Sequence, residues 1–574
     1  DLPAFRLTHD DHSTRRGHEP SLRKVADGGS ARCSGSGGSV AQRDGGGAVS
    51  GTADYSVWAP LRQRAFRWLW LGVLIGWIGI WMQVVGAQWL LVDAPNAAAL
   101  VSLVQAANSL PVMLLALPGG VLADSFDRRW LLFTVQAYVF VLAILLAVLT
   151  AAGQTPPALL LAFTFALGAR VAVQLPAWGA SMPELVPRTQ LREASRLDLA
   201  AVNVSRAVGP ALAGLVIAHL GGVAIVFALN AFSVVFLAIA LLFWRRPQPG
   251  LDSQRERFVP ALRAGGRYVW HEPVVRRILL RTIIVAAPAM ALWALLPLVA
   301  SDRLGVGADG YGAMFGALGL GAILGALVLG RATDRLSANG TLFGAGVLYA
   351  AALAVLVLVP NFPAALVALV AAGLAWMAAT STLQAELQLV LPAWVRARGF
   401  AIYTVVFGGA QAAGALLWGL IADQAGVQPT VLLAAVVMLA GAVAGMFWRL
   451  PETGHIDPEP AVYWPDARLS FDPEPHAGPV LVAVHYTVTP QRQAAFLQAM
   501  DHLRRSRRRT GATRWELYRD GELPDRFVEM FTVASWAEHL RQHEGRLTGS
   551  DQEVEEAALA FSDPPARGEH LLPP

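Results

Sequence analysis

Apolar residues in this chain fall into long blocks separated by short polar joins. The blocks run at about 68–92, 97–122, 130–152, 158–181, 197–219 and 222–244. After a polar stretch, six more follow at about 277–300, 310–330, 340–360, 363–388, 400–422 and 428–448. A helix needs about 20 apolar residues to cross a bilayer, and each block is close to that length. The joins carry Gly, Pro, Asp or Asn, which end helices and turn the chain. The pattern predicts twelve transmembrane helices in two six-helix halves, a bundle over 56–244 and another over 277–450, joined by a central loop over 245–276. Beyond Arg449 the periodicity changes. Residues 451–478, rich in Pro, Asp and Glu, read as a linker. Val480–Val488 alternates as a strand, and Thr489-Pro490 opens a helix ending near Gly511. Strands are expected at 513–519 and 526–533, and helices near 535–544 and 550–560. That order gives a soluble α+β unit of ferredoxin-like kind over 479–562, followed by a tail over 563–574. The fold class is therefore an all-α polytopic membrane protein with a small C-terminal α+β domain. Residues 1–55 hold no apolar run able to build a core and read as a disordered extension.

Composition narrows the function classes. Of 574 residues, 55% are hydrophobic and 15% charged, against roughly 25% charged in soluble domains. A soluble enzyme and a disulfide scaffold are both excluded, the latter because Cys33 is the single cysteine. Lys24 is the single lysine and is followed by Val25, so no phosphate-cradling G-x-x-x-x-G-K-[ST] loop exists. Direct ATP hydrolysis by such a loop is ruled out. The arginines sort by side. With both termini on one face, that face holds Arg62, Arg64, Arg67, Arg188, Arg192, Arg196, Arg331, Arg396, Arg398, seven arginines of the central loop and Arg277 just after it, whereas the opposite loops contain Arg303 alone. The positive-inside rule then places both termini and the central loop in the cytoplasm.

The halves repeat. Gly120 and Asp124 form G-x-x-x-D after the second block, and Gly330 and Asp334 repeat it 210 residues later. Twin halves are a transporter architecture, with substrate handled between them near the midplane. Residues 120–129 read GVLADSFDRR. This segment resembles the loop between the second and third helices of the major facilitator superfamily, G-x-L-A-D-R-x-G-R-R; Asp124, Arg128 and Arg129 match, while Ser125 and Asp127 depart from it. The run PELVP, with Asn203, Arg206, Gly209-Pro210 and Gly214, is similar to the bacterial branch called transmembrane secretion effectors, which includes siderophore exporters. SWAEHLRQHE at 535–544 resembles a stretch of that branch's C-terminal unit. The resemblance implies a secondary exporter of small organic molecules working by alternating access, with protons as a possible coupling ion. It also implies that Asp124, Arg128, Arg129, Asp334 and Arg335 hold the inner face shut. On their own, these charges would equally serve only to fix topology.

Polar groups inside the spans mark the expected substrate pathway, because an isolated charge in hydrocarbon costs at least ~2.5 kcal/mol. Arg170 lies mid-span with Gln174 one turn away, and Asn203 pairs similarly with Arg206. Gln83, Gln105, Asn108, Gln384 and Gln411 complete the set, with Gln388 on the same helix face as Gln384. Interhelical hydrogen bonding is the plain alternative for each. Glu386 is the candidate proton-coupling carboxylate, although it projects about 200° round from Gln384. Gly316, Gly319, Gly321 and Gly325 lie in an apolar span and point to close helix packing rather than nucleotide binding. In the central loop, 253–270 mixes arginines with Phe258, Leu262, Tyr268 and Trp270, a pattern suited to a helix lying on anionic lipid.

In the soluble unit His539 and His543 stand four apart on a helix, a metal-compatible spacing without an evident third ligand, so no metal and no cofactor is expected. Arg504, Arg505 and Arg507–Arg509 form a basic run suited to phospholipid or to the helix dipole. No catalytic residue is identified, and nucleic acid is not an expected partner. The unit resembles the dimeric α/β-barrel monooxygenase-like fold, which implies self-association or regulation. Two other readings stand beside export: uptake of a small polar metabolite, and a membrane-anchored sensor or enzyme acting through the C-terminal unit.

Overall fold

The computed structural model describes residues 56–244, 258–332, 337–451, 457, 459, 461, 469 and 471–573. The first half comprises α1 (Arg64–Trp89), α2 (Ala97–Ser125), α3 (Arg128–Ala151), α4 (Pro157–Leu185), α5 (Leu191–His219) and α6 (Val223–Phe243). After α7 (Phe258–His271), the second half comprises α8 (Pro273–Leu298), α9 (Ala308–Ala332), α10 (Ala338–Leu358), α11 (Phe362–Val390), α12 (Ala393–Ala425) and α13 (Val427–Phe447). Twelve of these helices are long and apolar enough to cross a membrane. Side chains in the joins start them: Asp127 accepts from the Trp130 N–H, Ser337 from Gly340 and Asn361 from Ala364. Gly426, at φ 86°, makes the sharp turn between α12 and α13. The helices are apolar all round, so large side chains also point outward, among them Phe243 at 81% and Phe447 at 87% exposure. That belt is suited to hydrocarbon.

Several helices outrun their apolar blocks at the arginine-rich end. α5 begins at Leu191 and α12 at Ala393, where Arg192, Arg196, Arg396 and Arg398 interrupt the hydropathy but not the helix. The halves meet along two seams, α2 against α12 and α5 against α9. Small residues make both possible. A Cβ on Gly419 would lie 2.4 Å from the Ser102 Cβ, and one on Gly319 would lie 2.4 Å from the Ala207 Cα. Within the second half, a Cβ on Gly321 of α9 would stand 2.0 Å from the Val370 carbonyl oxygen of α11. The glycines of α9 thus serve close packing on two faces.

The soluble unit contains β1 (Val480–Thr487), α14 (Gln493–Thr510), β2 (Ala512–Arg519), β3 (Arg526–Val533), α15 (Trp536–Arg541), α16 (Gly549–Leu559) and β4 (Arg567–Leu571). Its antiparallel sheet runs β2-β3-β1-β4, a ferredoxin-like order. β4 extends the unit into the segment expected to be a tail; its sequence RGEHL has no run of large apolar residues to announce a strand. Val480, Val482 and Tyr486 pack on Phe496, Met500 and Leu503. Two arginines of the basic run turn inward. Arg507, 1% exposed, pairs with Glu529 and Glu555, whose carboxylates outweigh the effect of burial and hold its pKa well above the usual value.

The unit sits on the second half at the arginine-rich side. Arg509 bridges Asp551 to Glu272, the N-cap residue of α8, and Arg546 lies 5.1 Å over the Trp394 ring of α12. α7 is sandwiched there. Ala264, Tyr268 and Val269 are buried, with Tyr268 edge-on to Trp394 at 5.7 Å, while Trp270 remains 69% exposed. The face expected on lipid is thus covered by protein over 264–269; the side chains of Phe258 and Leu262 lie outside the described ones.

Candidate transport cavity

Between the halves lies a cavity of about 500 Å³. α11 contributes one stripe, Trp376, Thr380, Gln384 and Gln388, because residues four apart stack on one helix face. α5 presents Leu199, Val202, Asn203 and Arg206; α2 presents Gln105, Asn108 and Ser109; α12 adds Phe400, Phe407 and Gln411. Trp81 of α1 and Trp293 of α8 close the top. The lining mixes amide donors and acceptors with flat aromatic walls, a composition that binds organic molecules by shape and by a few polar contacts.

Arg206 is its one lining charge among the described residues. The guanidinium lies 5.4 Å from the Trp81 ring and 5.8 Å from Trp293, so two aromatic faces hold it in place. Among the described residues its Nε has no hydrogen-bond partner. A fixed cation between indole rings, with no lining carboxylate to neutralise it, favours anionic groups in the space before it.

The cavity is sealed on the side opposite the termini. Pro297 has no N–H, so the Trp293 carbonyl four residues earlier lacks its helical hydrogen bond. Gln88 and Gln105 of the first half supply it instead, at 3.1 Å and 3.4 Å. Tyr311 of α9 donates to Gln88 at 2.8 Å and stacks on Trp89. Toward the terminus-bearing side the lining continues to Leu199, Gln388 and Phe400, within about two turns of the helix ends.

A family model described as transmembrane secretion effector matches residues 55–571, nearly the whole chain. The chain belongs to that family. The staphyloferrin A transporter of Staphylococcus aureus (strain NCTC 8325 / PS 47) is 24% identical over 39% of this chain and 56% of its own length. The multidrug efflux pump Tap of Mycobacterium tuberculosis (strain ATCC 25618 / H37Rv) is 27% identical over 66% of this chain and 91% of its own. Among solved structures, a bacterial homologue of the human lysosomal transporter Spinster, inward-facing and unoccupied, aligns with TM-score 0.55 at 16% identity over 67% of this chain and 96% of that one. A D-xylose–proton symporter aligns with TM-score 0.56 at 13% identity over 70% and 99%. The fold is that of a major facilitator transporter.

In this secretion effector, six of the nine expected pathway residues line the central cavity: Gln105, Asn108, Asn203, Arg206, Gln384 and Gln411. The other three lie inside the first half. Gln83 accepts from Asn230 at 3.2 Å, and Gln174 accepts from Gln136 at 3.4 Å. Arg170 is buried behind Asn108, beside a pocket of about 20 Å³, room for a single water. Trp81, Trp293, Trp376 and Phe407 were not legible as cavity residues, since an aromatic in a span reads alike whether it faces lipid, core or cavity. Of the expected gating set, Arg128 pairs with Glu184 at 2.6 Å and Arg129 donates to the Leu241 and Leu242 carbonyls. These contacts tie α3 to α4 and α6 within one half. The side chains of Asp124, Asp334 and Arg335 lie outside the described ones. Glu386 is half-buried and absent from the described cavity lining, whereas Gln384 and Gln388 on either side face the cavity.

Proposed function

We propose that this transporter is a secondary exporter of small organic anions with an aromatic or apolar body, moved by alternating access from the cytoplasm of a bacterial inner membrane. The observation that carries the reading is Arg206, braced by Trp81 and Trp293 in a cavity of about 500 Å³ between the halves. Such a volume suits a ligand of drug-like size. The arginine excess on the terminus-bearing face assigns that face to the cytoplasm, and the cavity extends toward it. Loading from that side suits export. Two relatives, a multidrug efflux pump and a staphyloferrin A transporter, agree in kind.

Inside-out vesicles loaded with the protein give the test. A panel of carboxylate-bearing natural products, with neutral and cationic analogues, is offered from outside; accumulation of anions over their neutral analogues is expected. Accumulation only in right-side-out vesicles replaces export with uptake. Deleting 479–574 separates the transporter from the anchored sensor or enzyme: export continues if the helical halves do the work. As for the driving force, proton antiport assigns Glu386 the exchange, since the described cavity lining offers no Asp or Glu. Glu386→Gln should then abolish the response of export to collapse of the pH gradient, and an unaltered response removes Glu386 from that role.

A further inference from the structure

The soluble unit brings a third histidine, which no sequence spacing reveals, to the pair His539 and His543. His539 and His543 lie one turn apart at α15 and the segment after it, and His570 comes from β4, whose residues pair with β1. One ring nitrogen from each lies within 4.8 Å of the other two. The two on the helix are closer still, with Nε2 to Nε2 at 3.1 Å. Two adjacent imidazoles on one tetrahedral or octahedral ion, with metal–nitrogen bonds of about 2.0–2.1 Å, place their nitrogens roughly 2.8–3.4 Å apart.

We propose that His539, His543 and His570 form a binding site for a first-row divalent transition ion such as Zn²⁺. Among the described residues the donor set is three imidazoles without thiolate or carboxylate, which suits Zn²⁺, Co²⁺, Ni²⁺ or Cu²⁺ and not Mg²⁺ or Ca²⁺. The outer shell is of the right kind. Gln542 Oε1 lies 3.3 Å from His539 Nδ1 and takes its N–H, and Gln542 is itself fixed by donating to Thr510 Oγ1 at 3.4 Å. That bond sets the tautomer with the Nε2 lone pair directed at His543. Trp536 packs against both His539 and His570, 5.4 Å and 6.2 Å between ring centroids, walling one side of the cluster. His539 is fully buried, while His543 and His570 are half-exposed, which leaves an approach from solvent and a coordination position for water. Burial, then the neighbouring His543 and His570, pushes the His539 pKa down to about 3, and burial lowers that of His570. His570 has to close on its partners by up to about 1.4 Å, a shift that falls on a five-residue edge strand.

Detergent-purified full-length protein, isolated without a polyhistidine tag, is titrated with Co²⁺ and its visible d–d absorption followed. Bands that grow to one equivalent and are removed by added Zn²⁺ are expected. His543→Gln and His570→Gln, both at half-exposed positions, should each lower Co²⁺ affinity at least about tenfold, with unchanged circular dichroism, while His502→Gln leaves it intact. Two results overturn the site: no saturable Co²⁺ absorption in the wild-type protein, or absorption that survives both substitutions. In either case the cluster is a hydrogen-bonded histidine pair beside a tryptophan and nothing more.

Discussion

At the scale of single residues, the cavity is organised round one guanidinium. Arg206 gains from charge and from its two indole neighbours, and these contributions are separable. Arg206→Ala should reduce export of an anionic cargo at least tenfold, with membrane insertion unaltered, by loss of a contact on the order of 2 kcal/mol. Arg206→Lys keeps the charge but not the planar stacking, and should fall between the two. Vesicle flux measured for the three proteins checks the order; equal flux in all three takes Arg206 out of cargo binding. Arg170 shows that a buried charge need not line the central cavity. It shares residue type and mid-span depth with Arg206, yet it packs behind Asn108 inside one half. Sequence gives depth and helix face, but the identity of the helix opposite decides whether that face meets cargo or protein.

At the scale of elements, the membrane makes much of the fold legible. Hydrocarbon enforces length and apolarity on each span, so the block pattern locates all twelve, and falls short most where α5 and α12 carry arginines beyond the apolar zone. The glycines of α9 were legible as packing positions because small residues in a span let helices approach. Gly321→Leu should prevent correct assembly, seen as loss of the monodisperse peak in size-exclusion chromatography. Its first added atom would already overlap the Val370 carbonyl oxygen at 2.0 Å. Gly344→Leu on α10, where an added Cβ meets nothing within 4 Å, should behave as wild type. The soluble unit was legible where alternation is strong, at β1 and β3. β4 was not, because it is a short edge strand held by pairing to β1 rather than by a buried face of its own.

At the scale of the whole molecule, the soluble unit and the second half are joined by few but specific groups. Arg509 is shared between Asp551 of its own unit and Glu272 at the head of α8; burial lowers its pKa, but the two carboxylates more than restore it. Glu272→Ala removes the cross-link while Asp551 still satisfies the arginine. Loss of one charged hydrogen bond is worth about 1.5–3 kcal/mol, so amide exchange in α7 should quicken at least tenfold while that of β1 stays unchanged. Hydrogen exchange resolved by segment reads both. If α7 is unaffected, the unit is held by Arg546 on Trp394 and the Tyr268 contact instead.

The proline in α8 has a further consequence for the transport cycle. With Pro297 in place, the oxygen of Trp293 depends on two glutamines that belong to the other half of the molecule. Separating the halves on that side strips it of both partners at a depth where lipid offers none. Water entering the widening gap, or a donor on the cargo, then has to satisfy it. Opening on the side opposite the termini and wetting of that backbone oxygen are therefore a single event, and a dry, empty transporter is biased to stay closed on that side.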